Sequence, residues 1–574
     1  MSRRIVILPF DTKNVHLQYF VESIQDLLIE ELNRSRTFTV ISKESAKIAF
    51  ESSKNIQGIP KQLDVFELIH GSIEEEDTIN IKICHYQLNP EHVETRGFSI
   101  SHTNIFAIGE KCKEMMLGFL GIQNEVSASL GHYRSIQPNS YQKLILGNYH
   151  FNRWTQDNVA EAIDLYQNVI EHEPDYASAY LKLAKCFIFQ AGRGYAKPNN
   201  VYPRAREAVE KAWDLQPHSG EAIIYKNLID FFYDLDWRNV YKSIEKGLAN
   251  HVDASEAYQQ LSFFWYGLKE YDAALDALYS ALEYDPISTG ILNMIGDVQL
   301  SAKRYDSSEK TFLSILKMVP NDAASLENLL YIAALRGNRS KCLFYLGKLR
   351  KILPREERFV PRMAYAFGKF GMEEEARAYL DYYDTLEKLK PYRVLHNFKA
   401  QVYSGLGDWE KVMDCIEKGW KARTGILYIL TDPQFEPIRK WKRYRNLISE
   451  IQLPKKAEDI HYISLTTDIK KSIRVNLKAL LFIKAEDNYT RLYFFQNFRV
   501  EEKLVRATLK TIGRQLPQNF IRVHKTYILN IDVPFQVFGN SKTRFITHTQ
   551  HDFEITVSRG LDKTILKFLL EKSQ

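Results

Sequence analysis

Asn519–Asn530 reads NFIRVHKTYILN, near the C-terminal end of a 574-residue chain. Apolar and basic residues interleave in it. Phe520, Val523, Tyr527 and Leu529 can enter a core, while Arg522, His524 and Lys525 stay near its edge, so the stretch reads as a strand edge carrying cations on a rigid support. The charge around it is uneven. Lys455–Gln574 holds 21 Lys plus Arg against 12 Asp plus Glu, whereas everything before holds 56 against 59, so the net +6 of the chain belongs to its last fifth. A basic domain on a near-neutral body points to a polyanionic partner, most commonly nucleic acid; a solvated basic face is the plainer account of the same charge.

On both sides of this stretch the apolar period is that of strands. IRVNL, ALLFIKA, TRLYFF and FRVEE precede it, and FQVFG, TRFITH and FEITV follow. Leu504–Leu516 reads as a helix stopped by Pro517, and Leu561–Leu570 as a terminal amphipathic helix. Four blocks, ALLFIKAEDNYTRLYF, VRATLKTIGRQLP, NFIRVHKTYILN and TVSRGL, occur in an order and spacing that resemble the LytTR domain of bacterial transcription regulators. The resemblance implies a β-rich DNA-binding domain over residues 455–574 that inserts loops into successive major grooves. Carried over residue by residue, it implies contacts from Asn488, Tyr489 and Thr490 in the loop after ALLFIKA, with Arg491 beside them. It also implies contacts from Lys525 in the central motif and from Arg559 before the last helix. Arg522 and His524 match the pattern too, His524 more as a hydrogen-bonding support than as a reader of bases. Arginine suits bidentate guanine contact, asparagine adenine, and lysine a phosphate.

Pro286, Pro320 and Pro354 stand 34 residues apart, each after a helical run. That interval is the tetratricopeptide (TPR) period. Tyr258, Leu261, Trp265, Ala274, Leu278, Ala281 and Pro286 resemble a TPR unit, and the next unit repeats the scheme with Leu292, Ile295, Gly296, Ser308, Phe312 and Pro320. Looser units precede these, with GRGYAKPNNVYP, Gly192–Pro203, inserted between helices, and further units follow. Eight helix pairs over residues 141–451, ending in a helical segment near Trp441–Ile451, are expected to stack into an all-α superhelix whose groove takes a peptide or protein.

Residues 1–121 read as a small α/β domain. RRIVILPF is a buried strand ending at Pro9, followed by an amphipathic helix through Phe20, Ile24, Leu28 and Leu32. Phe38–Ile41 is a short strand, Ser42 a helix cap, and VFELIHGSI and INIKICHYQL flank an acidic turn as a hairpin. IVILPF, VFELIHGSI and NIFAIGEKC resemble the TolB-like domain found before helical repeats in bacterial regulators, which implies a fold and no catalytic residue.

Chemistry finds no purchase in the motifs. The five cysteines are scattered without metal-ligand spacing, GNSKT at Gly539–Thr543 lacks the glycine directly before lysine that a phosphate loop needs, and neither G-x-S-x-G nor H-E-x-x-H occurs. No signal-like start or membrane-length apolar run is present, so a cytoplasmic location is expected. The sequence thus predicts a multidomain, non-enzymatic transcription regulator with no cofactor and no metal. Its partners are double-stranded DNA, bound at repeated sites as a homodimer, and a peptide or protein in the TPR groove. The alternative is a TPR scaffold whose basic domain binds a protein or a membrane surface.

Overall fold

The structure is a computed structural model. It describes residues 3–14, 17–35, 38–53, 56–75, 78–88, 91–100, 105–122, 137–153, 155–217, 219–240, 243–244, 254–353, 360–390, 395–452, 462–466, 472–477, 480–496, 499–517, 519–533, 535–540, 544–548, 551–558 and 560–572. The chain divides into two compact units, Ser2–Leu453 and Pro454–Gln574.

The first unit opens with an α/β domain: β1 (Arg3–Ile7), α1 (Gln18–Ser35), β2 (Phe38–Val40), α2 (Lys43–Ser52), α3 (Ile59–Leu63), β3 (Glu67–Glu75), β4 (Ile79–Leu88), β5 (Glu91–Ile100) and α4 (Ile105–Leu120). The sheet order is β2-β1-β3-β4-β5, parallel around β1 and antiparallel from β3 onward. Near-continuous apolar residues in β1 follow from burial on both faces. Ile5 and Ile7 enter one core with α1 and α4, while Val6 and Leu8 enter another with α2 and α3. Ser42 caps α2, its hydroxyl accepting from the Ser45 amide at 3.1 Å.

Antiparallel helix pairs follow: α5 (Pro138–Phe151) with α6 (Gln156–His172), α7 (Ala177–Arg193) with α8 (Pro198–Leu215), and α9 (Gly220–Ile229), which runs into a π turn at Asp230–Asp234. Next come α10 (Ala254–Gly267) with α11 (Tyr271–Tyr284), α12 (Thr289–Ser301) with α13 (Tyr305–Met318), and α14 (Ala323–Leu335) with α15 (Arg339–Ile352). The last pairs are α16 (Pro361–Lys369) with α17 (Glu373–Leu389) and α18 (His396–Leu406) with α19 (Trp409–Lys421). Small residues set the approach within a pair. A Cβ on Gly296 would stand 2.4 Å from the Phe312 ring, so the aromatic of the second helix lies directly on the backbone of the first. Pro286 and Pro320 come just after α11 and α13, where a helix must already have ended. Pro354 lies outside the described residues. The insertion expected at Gly192–Pro203 is shorter than the sequence suggested. Pro198 occupies the first helical position of α8, where its missing N–H costs nothing, and Pro203 is carried inside the helix.

After α19 the chain turns back as α20 (Ile426–Thr431), a 3-10 turn at Pro433–Ile438 and α21 (Lys442–Ile448). This return segment lies against the first helices of the pairs. Tyr331 of α14 donates its hydroxyl to the Asp432 carboxylate, and Ile429, Leu430, Phe435 and Ile438 are buried. At its end the Gln452 amide donates to the Leu235 carbonyl at 2.9 Å, just beyond the π turn. The α/β domain joins the same body. Asp285, after α11, accepts from the Ser42 and Ser45 hydroxyls, and the Ile287 amide donates to Ser45 Oγ at 3.0 Å.

The second unit contains β6 (Tyr462–Thr466), β7 (Ser472–Asn476), β8 (Leu480–Glu486), β9 (Tyr489–Gln496), β10 (Arg499–Val505), α22 (Leu509–Gly513), β11 (Phe520–His524), β12 (Tyr527–Asn530), β13 (Phe535–Gly539), β14 (Arg544–His548), β15 (His551–Val557) and α23 (Lys563–Lys572). A five-stranded sheet, β10-β9-β8-β12-β11, is covered on both faces. Leu480, Ile483, Leu492 and Ile528 pack with Leu509 and Ile512 of α22; Leu481, Phe482, Val523 and Leu529 pack with β13, β14, β15 and α23. Two readings of the sequence are corrected here. Leu504–Leu516 is not one helix, because Leu504 and Val505 complete β10 opposite Arg491 and Thr490, and only Leu509–Gly513 is helical behind the Thr508 cap. NFIRVHKTYILN is not one edge strand but two strands that fold back on each other at Lys525–Thr526.

Candidate nucleic-acid interface

The hairpin turn at Lys525–Thr526 carries no glycine, asparagine or proline, and side chains close it instead. Arg522, exposed, donates from Nε to the His524 carbonyl at 3.3 Å and from Nη2 to the Lys525 carbonyl at 2.7 Å. His524 Nδ1 accepts from the Thr526 amide at 3.3 Å and lies 2.8 Å from the Thr526 hydroxyl, which leaves Nε2 as the protonated nitrogen. Partial burial first, then the neighbouring charges of Lys525 and Arg522, hold the imidazole below its usual pKa. Lys525 is exposed, and its ammonium has no ion pair among the described residues.

A second tight turn stands beside the first. β8 and β9 are joined by Asp487–Asn488, with Asp487 in the left-handed region at φ 53°. Because β12 runs antiparallel to β8, with Tyr527 opposite Lys484, the start of β12 and the end of β8 lie at the same end of the sheet. The Ala485 amide donates to the Thr526 carbonyl at 2.8 Å and ties the two turns together. Asn488 and Tyr489 are both exposed there.

Two expected contacts are relocated by this geometry. Thr490 is fully buried and donates its hydroxyl to the Ala507 carbonyl at 2.6 Å, so it fastens the start of α22 to β9 and does not reach the surface. Arg491 is held by two carboxylates: Nη2 lies 2.8 Å from Glu486 Oε2 and Nη1 2.6 Å from Glu502 Oε2. Its hydrogen bonds hold the Glu486 carboxyl below its ordinary range, and its charge is already answered inside the sheet. Arg559 lies outside the described residues; its neighbour Ser558 donates its amide to the Val523 carbonyl of β11 at 2.8 Å.

Arg506 and Lys510 went unread in the sequence. Both are exposed and without an ion pair among the described residues. Arg506 follows β10 directly, at the end where Val505 stands opposite Thr490 and so at the same end of the sheet as the two turns, and Lys510 comes a few residues on in α22. The single-helix reading of Leu504–Leu516 sets them a turn apart on one helix face and gives no sign that Arg506 stands at the end of a strand. The end of the sheet therefore presents Asn488, Tyr489, Arg506, Lys510, Arg522 and Lys525, four of them cationic. Among the described residues, no group of three His, Cys, Asp or Glu could hold a metal ion, and no helix is long and apolar enough to cross a membrane.

Residues 470–569 match the LytTr DNA-binding domain family. Residues 266–330 match the tetratricopeptide repeat family. The LytTr match takes in both turns and all six of the presented residues. Among curated proteins, the chain is 29% identical over 107 residues to an uncharacterized response regulatory protein of Vibrio cholerae, an alignment covering 18% of this chain and 36% of that protein. It is 21% identical over 243 residues to tetratricopeptide repeat protein 37 of Xenopus laevis, covering 42% of this chain and 15% of that one. The chain thus spans well under two thirds of either relative. Similar solved structures include PilW, a type IV pilus biogenesis factor, at 16% identity and TM-score 0.33, covering 39% of this chain and 97% of that one. YrrB, a TPR protein with an unusual peptide-binding site, is similar at 20% identity and TM-score 0.24, covering 34% of this chain and 94% of that one.

Proposed function

We propose that the protein is a DNA-binding transcription regulator whose LytTr domain grips duplex DNA with the end of the sheet that carries the two tight turns. The observation that carries this reading is the exposed Lys525, Asn488 and Tyr489 on two turns tied to each other by a backbone hydrogen bond, with the exposed Arg506 and Lys510 following β10. Cations on a rigid edge meet phosphates, and Asn488 and Lys525 at the tips are placed to enter a groove. Arg522 and His524 shape the turn and add positive potential to it. Arg559 is proposed as a further contact from the family resemblance. The helical array receives a protein or peptide signal, and the N-terminal α/β domain, TolB-like by resemblance, serves assembly or sensing. A homodimer on repeated sites, acting in the cytoplasm, completes the proposal.

The test is selection from a random duplex pool with the full chain at several salt concentrations. Enrichment of a repeated motif, lost in Lys525→Gln plus Arg506→Gln, supports the reading. Binding that never discriminates between sequences at any salt overturns it and favours a scaffold with a basic tail.

A further inference from the structure

A cavity of about 160 Å³ lies inside the helical array, between α10, α12, α16 and the return segment. Phe263 and Met294 contribute apolar walls, and Tyr428, the exposed member of the lining, stands at its mouth. Charge gathers at one pole, where Asp297, Arg362 and Asp432 meet the space.

That pole is incompletely satisfied. Arg362 is 6% exposed, and its guanidinium makes no hydrogen bond among the described residues. It stacks over the Tyr331 ring at 4.8 Å and approaches Asp297 Oδ1 no closer than 3.8 Å. Asp297 Oδ1 is itself buried without a hydrogen-bond partner. Asp432, by contrast, is satisfied by the Tyr331 hydroxyl and the Gln434 amide. A buried guanidinium and a buried carboxylate oxygen that face each other beyond hydrogen-bond range, beside an open volume, are matched to something that bonds both.

The chemistry of that occupant follows from the two ends. The guanidinium asks for an acceptor with two oxygens, and the carboxylate for a donor. Glu327 also acts on Arg362, so Asp297, Glu327 and Asp432 offer acceptor oxygens around a single cation, and an ammonium can be received among them. Burial raises the Asp297 carboxyl to about 6 and that of Glu327 to about 7, the expected response of acids short of positive partners. The volume is far above the roughly 10–15 Å³ that admits one water on the same measure, too small for a folded peptide segment and enough for one small molecule.

We propose that this cavity binds a free α-amino acid with an apolar or aromatic side chain, its carboxylate on Arg362, its ammonium on Asp297 and its side chain against Phe263 and Met294. The two charged groups of an α-amino acid share one carbon, a span that suits the gap between Arg362 and Asp297. This goes beyond the proposed regulator function and stands whether or not the other unit binds DNA.

Isothermal titration of the full chain with each proteinogenic L-amino acid, up to about 10 mM, tests it. At least one apolar amino acid is expected to bind saturably, and its analogue lacking either the amine or the carboxylate to bind at least about tenfold more weakly, as expected from one lost charged hydrogen bond. Met294→Trp, which fills the cavity and leaves the charges in place, is expected to abolish the binding while circular dichroism stays unchanged. No saturable heat from any amino acid on the folded chain, binding that survives Met294→Trp, or equal binding of the deaminated analogue overturns the proposal.

Discussion

Replacing Lys525 by glutamine removes one charge from the tip of the β11–β12 turn and keeps most of the side chain. The turn is closed by Arg522 and His524 and not by the lysine ammonium, so stability should change by no more than about 0.5 kcal/mol. DNA affinity should change by more. A cation with no carboxylate partner among the described residues releases one counterion on meeting a phosphate, so its loss should flatten the plot of log affinity against log salt by about 0.9. Extrapolated through that slope, the cost at 0.15 M salt is about fivefold, or about 1 kcal/mol. Fluorescence anisotropy on a fixed duplex at four salt concentrations measures both numbers, with urea unfolding as the control. An unchanged affinity and slope, with the fold intact, would refute the assignment of this turn to the phosphate backbone.

Thr490→Val should destabilise the protein by about 1–2 kcal/mol, because it removes the hydroxyl bonded to the Ala507 carbonyl and leaves a buried acceptor unmet; a variant of full stability that loses only DNA binding would show that Thr490 faces the DNA after all. Gly296→Ala should cost about 1–3 kcal/mol despite alanine's better helix propensity, since the new methyl meets the Phe312 ring. A raised melting temperature would show that the pair is looser than described. Burial raises the Glu327 carboxyl to about 7, so the folded protein holds that proton to higher pH than the unfolded chain does. Its contribution therefore favours folding as pH falls from about 7 toward the ordinary carboxyl range. Glu327→Gln should narrow the difference in melting temperature between pH 8 and pH 6, and an unchanged difference would count against the burial.

The repeats and most strands of the C-terminal sheet were legible because each rests on a local signal. The placing of Pro286 and Pro320 just after helices, the alanine and glycine positions and the alternation in ALLFIKA and TRLYFF all survive in the fold. What failed depends on contacts distant in sequence. Leu504 and Val505 look helical beside Leu509 and Ile512 until Arg491 and Thr490 pair with them. The turn at Lys525–Thr526 has no turn residue to announce it and is made by an arginine, a histidine and a threonine. β5 lacks a clear strand signal because charged residues and Gly97 interrupt its alternation, and β6, Tyr462–Thr466, alternates but is short. The matching motif points to Thr490 and Arg491 as contacts, and only the register across β9 and β10 shows one buried and the other paired with two carboxylates.

The return segment changes how the helical array unfolds. Repeat arrays are nearly one-dimensional, each unit touching its neighbours, so their ends fray and parts can melt alone. Here Gln452 is bonded to Leu235, and Asp432 to Tyr331, so the last turns of the array are fastened to its early and middle pairs. Opening any pair between them loosens contacts far along the chain. From α9 onward the array is thereby closed on itself, and that part is expected to unfold more cooperatively than an open array would. The closure also makes folding wait on the final helices, because contacts of such long sequence separation form only once the chain between them is in place.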